Sequence, residues 1–275
     1  MKKFFAVVLA AVLALSLVAS ASALTIAVPN DPTNEGRALL LLETLGLIDV
    51  DDNAGITATA ADVVDNPLGI EFVEVEAAMV PNVLADVDYA VINGNYALAA
   101  ELPAALKYEN AESPYVNVVS VNAGNEETAE AKALVAAVMS QQVVDFFASY
   151  EGTAISVIEN PTDGYDPDVD YDALAGTKLT VVCTLDPHSY VLEIAKDILA
   201  AKDITLDVVI VDDYTTPNMM VDAGDAFANF FAHSPYQEDF NANNGTNLVT
   251  IAGVHVEPMG LYAGQQADLT ALGID

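Results

Sequence analysis

The same local order occurs twice in this chain, and it limits the fold more than any other feature. A short apolar strand pattern runs into an Asp-Pro pair, and the pair opens an apolar helical stretch. The first copy is Leu24 to Val28, Asp31-Pro32 and a helix over 32–45; the second is Lys178 to Thr184, Asp186-Pro187 and a helix to about Lys202. Asp suits the N-cap because its carboxylate accepts from the unpaired amides of the first turn. Pro suits the first helical position because it has no amide to leave unpaired. Gly46 then offers the first helix a stop, since glycine enters the left-handed region without a Cβ clash. Two matching βα openings far apart in the chain predict two similar lobes.

The rest of the pattern agrees. Phe72 to Val75, Tyr89 to Ile92, Val116 to Val121 and Leu206 to Val211 read as strands, and Val80 to Leu84 as a short helix. Glu126 to Tyr150 reads as one long helix, with Ala, Leu, Val and Met at helical spacing. Alternating strands and helices predict α/β layers with largely parallel sheets. Between 159 and 177 the texture changes to Asn-Pro-Thr-Asp-Gly-Tyr-Asp-Pro-Asp, the composition of a solvated acidic linker.

The N-terminus has Met1-Lys2-Lys3, an apolar run from Phe4 to Val18, then Ala21-Ser22-Ala23. That is the form of a signal peptide over residues 1–23, too short for a convincing membrane span. No cysteine lies beside its cleavage site. The expectation is therefore a periplasmic or secreted protein with no lipid anchor and no membrane insertion after cleavage. Only 8 Lys and Arg face 41 Asp and Glu, a net charge of −33. Nucleic acid is excluded as a partner, because phosphate binding needs clustered positive charge. The lone Cys183 permits no internal disulfide. Its setting, Leu179-Thr180-Val181-Val182-Cys183, is that of a packed core thiol.

Arg37 is the only arginine in 275 residues, and it sits near the start of the first helix. A guanidinium grips a carboxylate through two parallel hydrogen bonds, so Arg37 is a candidate ligand anchor, set against an ordinary helix salt bridge. Phe231, His233 and Tyr236 cluster within Asn229 to Tyr236, and Tyr214 has a similar loop context. Such a wall suits a ligand with one apolar end. Asn93 and Asn117 stand at strand ends, where an amide accepts from an ammonium or donates to a carboxylate, though turn chemistry explains such residues equally well. Asp163, Asp166, Asp168, Asp170 and Asp172 lack the spacing of a Ca²⁺ loop. Three scattered histidines show no zinc pattern. No phosphate loop, cofactor motif or Ser-His-Asp set stands out, so the chain reads as a binder and not an enzyme.

These residues lie in longer motifs. Ile26-Ala27-Val28-Pro29-Asn30-Asp31-Pro32-Thr33-Asn34-Glu35-Gly36-Arg37, Ser113-Pro114-Tyr115-Val116-Asn117, Tyr214-Thr215-Thr216-Pro217-Asn218, the Phe231/His233/Tyr236 block and Val256-Glu257-Pro258-Met259-Gly260-Leu261-Tyr262 closely resemble the NlpA/MetQ family of methionine-binding ABC transporter proteins. The resemblance covers nearly all of the chain after residue 23, but in a different order. The family segment similar to 178–270 normally precedes the one similar to 24–158. A circular permutation is implied, with 159–177 joining the old termini.

The resemblance implies a two-lobed α/β fold of the type 2 periplasmic-binding-protein kind, closing on an amino acid. Residues 24–112 would form one lobe and 113–275 the other. The hinge would keep one covalent connection, near Tyr96 to Asn117, and lose its second. Arg37 would hold the ligand carboxylate, and Asn93 and Asn117 the polar amino-acid end. Tyr214, Phe231, His233 and Tyr236 would line the side-chain pocket. The implied ligand is L-methionine or an analogue, and the implied partners are an ABC permease and its ATPase. Ala232 stands where the family often has Gln, and Gly94 where Thr is common. The alternatives are a binder of another amino acid or a short peptide, and a sensory or scaffold protein that keeps the pocket without transport.

Overall fold

In the computed structural model, which describes residues 23–110, 114–150 and 152–275, strand β1 (Thr25–Pro29) is buried from Ile26 onward and feeds helix α1 (Pro32–Thr44). All but the last residue of the expected signal peptide lies outside the described residues, as does Ser113. Asp31 caps α1, its Oδ1 accepting from Asn34 N at 3.1 Å, and Gly46 ends the helix at a φ of 73°. A small pair follows, β2 (Asp49–Val50) with β3 (Val63–Asp65), then β4 (Glu71–Val75) and a 3₁₀ stretch over Ala77–Asp86. Buried β5 (Tyr89–Ile92), short α2 (Gly94–Ala99) and β6 (Lys107–Tyr108) complete this part.

The chain then enters a second sheet. Its elements are β7 (Val116–Asn122), α3 (Ala129–Val138), α4 (Gln141–Ser149), β8 (Ile155–Ser156), α5 (Tyr171–Leu174), β9 (Lys178–Cys183) and α6 (Tyr190–Ala200). After them come β10 (Thr205–Ile210), α7 (Thr216–Ala223), β11 (Ala228–His233), α8 (Ser234–Asn244) and β12 (Leu248–Val256). Through Glu257-Pro258-Met259 the chain returns to the first sheet as β13 (Gly260–Ala263).

The first sheet has the order β4-β1-β5-β13-β6, and the second β10-β9-β11-β7-β12-β8. Each packs its own core. One holds Ile26, Leu39, Leu42, Tyr89 and Leu261; the other holds Leu134, Leu192, Leu199, Leu206 and Phe230. A fully buried side chain of this size contributes roughly 1.5–3 kcal/mol, so each lobe has the apolar burial to hold its own shape.

The two-lobed α/β architecture is as the alternation implied, but several particulars differ. The expected boundary at 113–275 is corrected, because β13 pairs with β5 and β6, and Leu269, Leu272 and Ile274 share a core with Leu24 and Ile26. The lost hinge connection is corrected with it: the chain passes between the sheets after β6 and again after β12. The sheets are mixed rather than largely parallel. Strands β4, β1 and β5 run parallel, whereas β13, which returns from the other lobe, enters against them.

The long helix over 126–150 is two helices. Ser140 is extended, bridges to Thr162, and leaves Gln141 N to donate to Thr162 O at 2.9 Å. Thr162 belongs to the supposed linker, which is therefore not simply solvated. Tyr165, Val169 and Tyr171 pack on the core, while Asp163, Asp166 and Asp170 accept from nearby backbone amides. The second Asp-Pro pair is not a copy of the first. The bond Asp186–Pro187 is cis, α6 starts only at Tyr190, and Asp186 accepts from Tyr150 Oη instead of capping.

One close approach fixes α1. A Cβ at Gly36 would lie 2.4 Å from Ile56 O and 2.9 Å from its carbon, both backbone atoms. Gly36→Ala is expected to destabilise the fold by about 1–3 kcal/mol through overpacking. A denaturant midpoint equal to the parent's would show instead that the 55–58 loop withdraws freely.

Candidate functional site

The site is built at strand ends that face each other across the gap between the lobes. The first turns of α1 present Asn34 and Arg37, three residues apart and so on one helix face. Asn93 follows β5 directly, and α2 begins with Gly94 and Asn95. From the second lobe, β7 carries Asn117 at its second position, β11 ends in Phe231-Ala232-His233, and α8 adds Tyr236. Tyr214 comes from the loop after β10, and Glu257 from the return connection. These twelve residues line one cavity of about 320 Å³. All seven residues singled out from the sequence, Arg37, Asn93, Asn117, Tyr214, Phe231, His233 and Tyr236, are among them.

Hydrogen bonding sets what this cavity offers. His233 Nδ1 accepts from Tyr236 N at 3.1 Å, capping α8, so the ring proton sits on Nε2 and donates to Asn34 Oδ1 at 3.1 Å. Burial, and then the charge of Arg37, keep His233 neutral by holding its pKa well below the usual value. Asn34 Oδ1 also accepts from Asn93 Nδ2 at 2.7 Å. That fixes the Asn93 amide and leaves its Oδ1 buried with no partner among the described residues. A buried acceptor in this state is open to a donor such as a water or a ligand ammonium.

The polar end continues to Glu257. Its Oε1 lies 2.6 Å from His255 Nε2 and 3.4 Å from His188 Nε2, and the backbone amide of Asn95 also donates to its carboxylate. Burial raises its pKa, opposed by His188 and Arg37. His188 and His255 are driven down to about 3, chiefly by burial. Two of the three histidines that seemed scattered in the sequence thus meet at one carboxylate, and with Glu257 they form a three-donor group whose atoms lie within 4.8 Å. The 2.6 Å contact suits an N–H donating to a carboxylate. Ligands held about 2 Å from a tetrahedral metal would stand farther apart. The linker aspartates form no such group among the described residues. Asn117 Oδ1 sits 3.1 Å from His188 Nε2.

Arg37 is not idle. Its Nε and Nη2 donate to Glu109 Oε2 at 2.9 and 2.6 Å, its Nη2 also donates to Glu257 O at 2.7 Å, and its guanidinium lies 4.3 Å from the centre of the Tyr115 ring. Among the described residues, its Nη1 has no hydrogen-bond partner. At the other end of the cavity Tyr214 lies 5.7 Å from Phe231 and 5.8 Å from Tyr236 between ring centres. Tyr214 Oη donates to Asn95 Oδ1 at 2.6 Å, and Tyr96 stacks on Tyr214 at 4.8 Å, so the aromatic wall is tied across to the first lobe. Cys183 is buried in β9, where burial pushes its thiol up to about 12. Sequence reasoning did not assign Asn34, Asn95, Glu109 or Glu257. Asn34 and Glu257 stood inside the quoted motifs, but their partners lie too far along the chain to be paired by inspection.

A family model described as NlpA lipoprotein matches residues 16–158 and 179–273. The chain belongs to the NlpA lipoprotein family. Among its relatives, the D-methionine-binding lipoprotein MetQ of Escherichia coli (strain K12) is 42% identical over 125 residues, covering 44% of this chain and 46% of that protein. The membrane lipoprotein TpN32 of Treponema pallidum (strain Nichols) is 42% identical over 135 residues, covering 48% of this chain and 50% of the relative. The chain spans about half the length of the curated relatives it matches. A nutrient-binding protein from Burkholderia cenocepacia, solved bound to methionine, is 51% identical over 32% of this chain and 37% of its own, with a TM-score of 0.29. NlpA membership corrects the expected localisation. The family and both named relatives are lipoproteins, which implies lipid-anchored association with an extracytoplasmic membrane rather than a protein without an anchor. No helix among the described residues is long and apolar enough to cross a membrane.

Proposed function

We propose that this chain is an extracytoplasmic solute-binding protein of an ABC importer, closing its lobes on methionine or a closely related amino acid. The carrying observation is that one cavity holds three complementary features: Arg37, whose Nη1 has no hydrogen-bond partner among the described residues, Asn93 Oδ1, buried and likewise without one among them, and an aromatic wall. Arg37 and Asn117 meet the α-carboxylate. Asn93 Oδ1 and the Glu257 carboxylate meet the α-ammonium. Tyr214, Phe231, His233 and Tyr236 surround the side chain, where a thioether gains about 0.3–1.5 kcal/mol per sulfur–aromatic contact. Its relatives' names, methionine-binding among them, support the same reading. No covalent step is required. Binding couples to closure because the ligand touches both lobes, and delivery passes to a permease driven by its ATPase.

Two observations support the permuted order. The family match falls into two blocks flanking residues 159–178, and the last helical turn, Leu269–Leu272, packs in one core with Leu24.

The test is a thermal-shift screen with the twenty amino acids and both methionine enantiomers, followed by calorimetry. Methionine at a hundredfold excess over Kd is expected to stabilise by about 2.7 kcal/mol. Norleucine should follow closely, and alanine should lose roughly 1.5–3 kcal/mol of binding for its missing side chain. Preference for alanine or glutamate, or no stabilisation by any amino acid, would end this reading.

A further inference from the structure

We propose that Glu109 is a positioning residue: it holds the Arg37 guanidinium in the orientation that meets a ligand carboxylate, and it ties that orientation to both connections between the lobes. This rests on the reading of Arg37 as the carboxylate anchor.

Glu109 follows β6 directly, at the start of the first connection. Its Oε2 accepts from Arg37 Nε at 2.9 Å and Nη2 at 2.6 Å. The same oxygen accepts from Met259 N at 3.1 Å, and Glu109 N donates to Met259 O at 2.8 Å. Met259 lies on the second connection, so Glu109 clasps the two crossing segments together beside Arg37. Glu257 O, also on the second connection, takes the other Nη2 bond, and Tyr115, at the far end of the first, covers the guanidinium face at 4.3 Å. Plane, edge and depth of the guanidinium are thus set by groups on the hinge.

The rival view is that Glu109 simply competes with a ligand for Arg37. It fails on geometry. Glu109 takes the Nε edge and one Nη2 hydrogen, and Nη1 is left over. A carboxylate so placed lowers the net charge at the site but removes the rotational freedom of a long side chain before ligand arrives. Preordering of this kind raises affinity by cutting what must be ordered on binding.

The test compares methionine with methioninol, which keeps the ammonium and thioether but has no carboxylate, on the parent, Glu109→Ala and Glu109→Gln. Calorimetric affinities are read with ligand-free thermal unfolding. Glu109→Ala is expected to reduce the methionine-to-methioninol affinity ratio by at least about tenfold, the scale of a charge-assisted contact that loses its geometry. Glu109→Gln keeps a neutral acceptor for Nε and should lower the ratio by about threefold. Equal losses for the two ligands would make Glu109 merely structural, and unchanged affinities for both would remove it from ligand binding; either overturns the proposal. Should the alanine variant not fold, the glutamine ratio decides alone. A parent that binds neither ligand defeats the functional reading itself, whereas a parent that binds methionine with a ratio insensitive to Glu109 defeats only this inference.

Discussion

Arg37→Ala is expected to weaken methionine binding by about 2–5 kcal/mol, enough to take a tight complex out of the range of ordinary calorimetry. The size follows from what is left behind. The ligand carboxylate would enter a cavity with no cation and with the Glu257 carboxylate already present. Much of the loss is therefore the cost of a desolvated, unpaired anion rather than of one missing contact. The fold should weaken as well, since Glu109 and Glu257 O both lose the guanidinium, although Met259 N still donates to Glu109. Glu109, at 15% exposure, can still turn to water, so that second effect is the smaller one. Arg37→Lys keeps the charge but not the fork. It should restore stability better than affinity, because a single ammonium cannot serve Glu109, Glu257 O and a ligand together. Methionine bound by Arg37→Ala as tightly as by the parent would remove Arg37 from the site.

What could be read from the sequence was local. Asp31-Pro32 announced a capped helix, and the chain builds that cap with the expected Asn34 amide. The residues assigned to the pocket stand at strand ends and helix starts, where α/β architecture gathers side chains whatever the strand order. What could not be read depends on pairing between distant segments. The Arg37 bond to Glu257 O spans 220 positions, and no one-dimensional pattern registers it. β13 has the same apolar texture wherever it is docked, so its place in the first sheet, and with it the second hinge crossing, needed the register Leu261↔Val91. The helical period is unbroken through Ser140; the break comes from Thr162, which bonds to the backbone there. Asp186 looks like a cap and is taken instead by Tyr150. Localisation failed for a different reason. A missing thiol is a single position, whereas the family's lipoprotein character rests on the whole match.

Acid should destabilise this fold partly through His233, and the sign can be worked from its partners. In the folded protein Nδ1 accepts from Tyr236 N and Nε2 donates to Asn34 Oδ1, so a second ring proton has to break the cap. Burial first, and the Arg37 charge second, hold its pKa well below the usual value. In the unfolded chain it titrates near 6.5. Below that pH the unfolded state binds one more proton than the folded state, and stability falls by about 1.4 kcal/mol per pH unit until the folded pKa is reached. Above it the residue contributes no slope. His188 and His255 act in the same direction, while Asp31, Glu35, Asp186 and Glu257 act against it, because burial raises their pKa and lets the folded state take protons first. The overall pH profile is a sum of opposing terms, so the informative quantity is a difference of slopes. His233→Gln should be less stable at neutral pH, having lost the cap to Tyr236 N. Its stability should then decline less steeply than the parent's, by about 1.4 kcal/mol per pH unit between about pH 6 and 4.5. Urea unfolding at half-unit pH steps measures both slopes, and parallel curves would mean that the folded protein admits a proton on His233, against the hydrogen bonds that occupy both of its nitrogens.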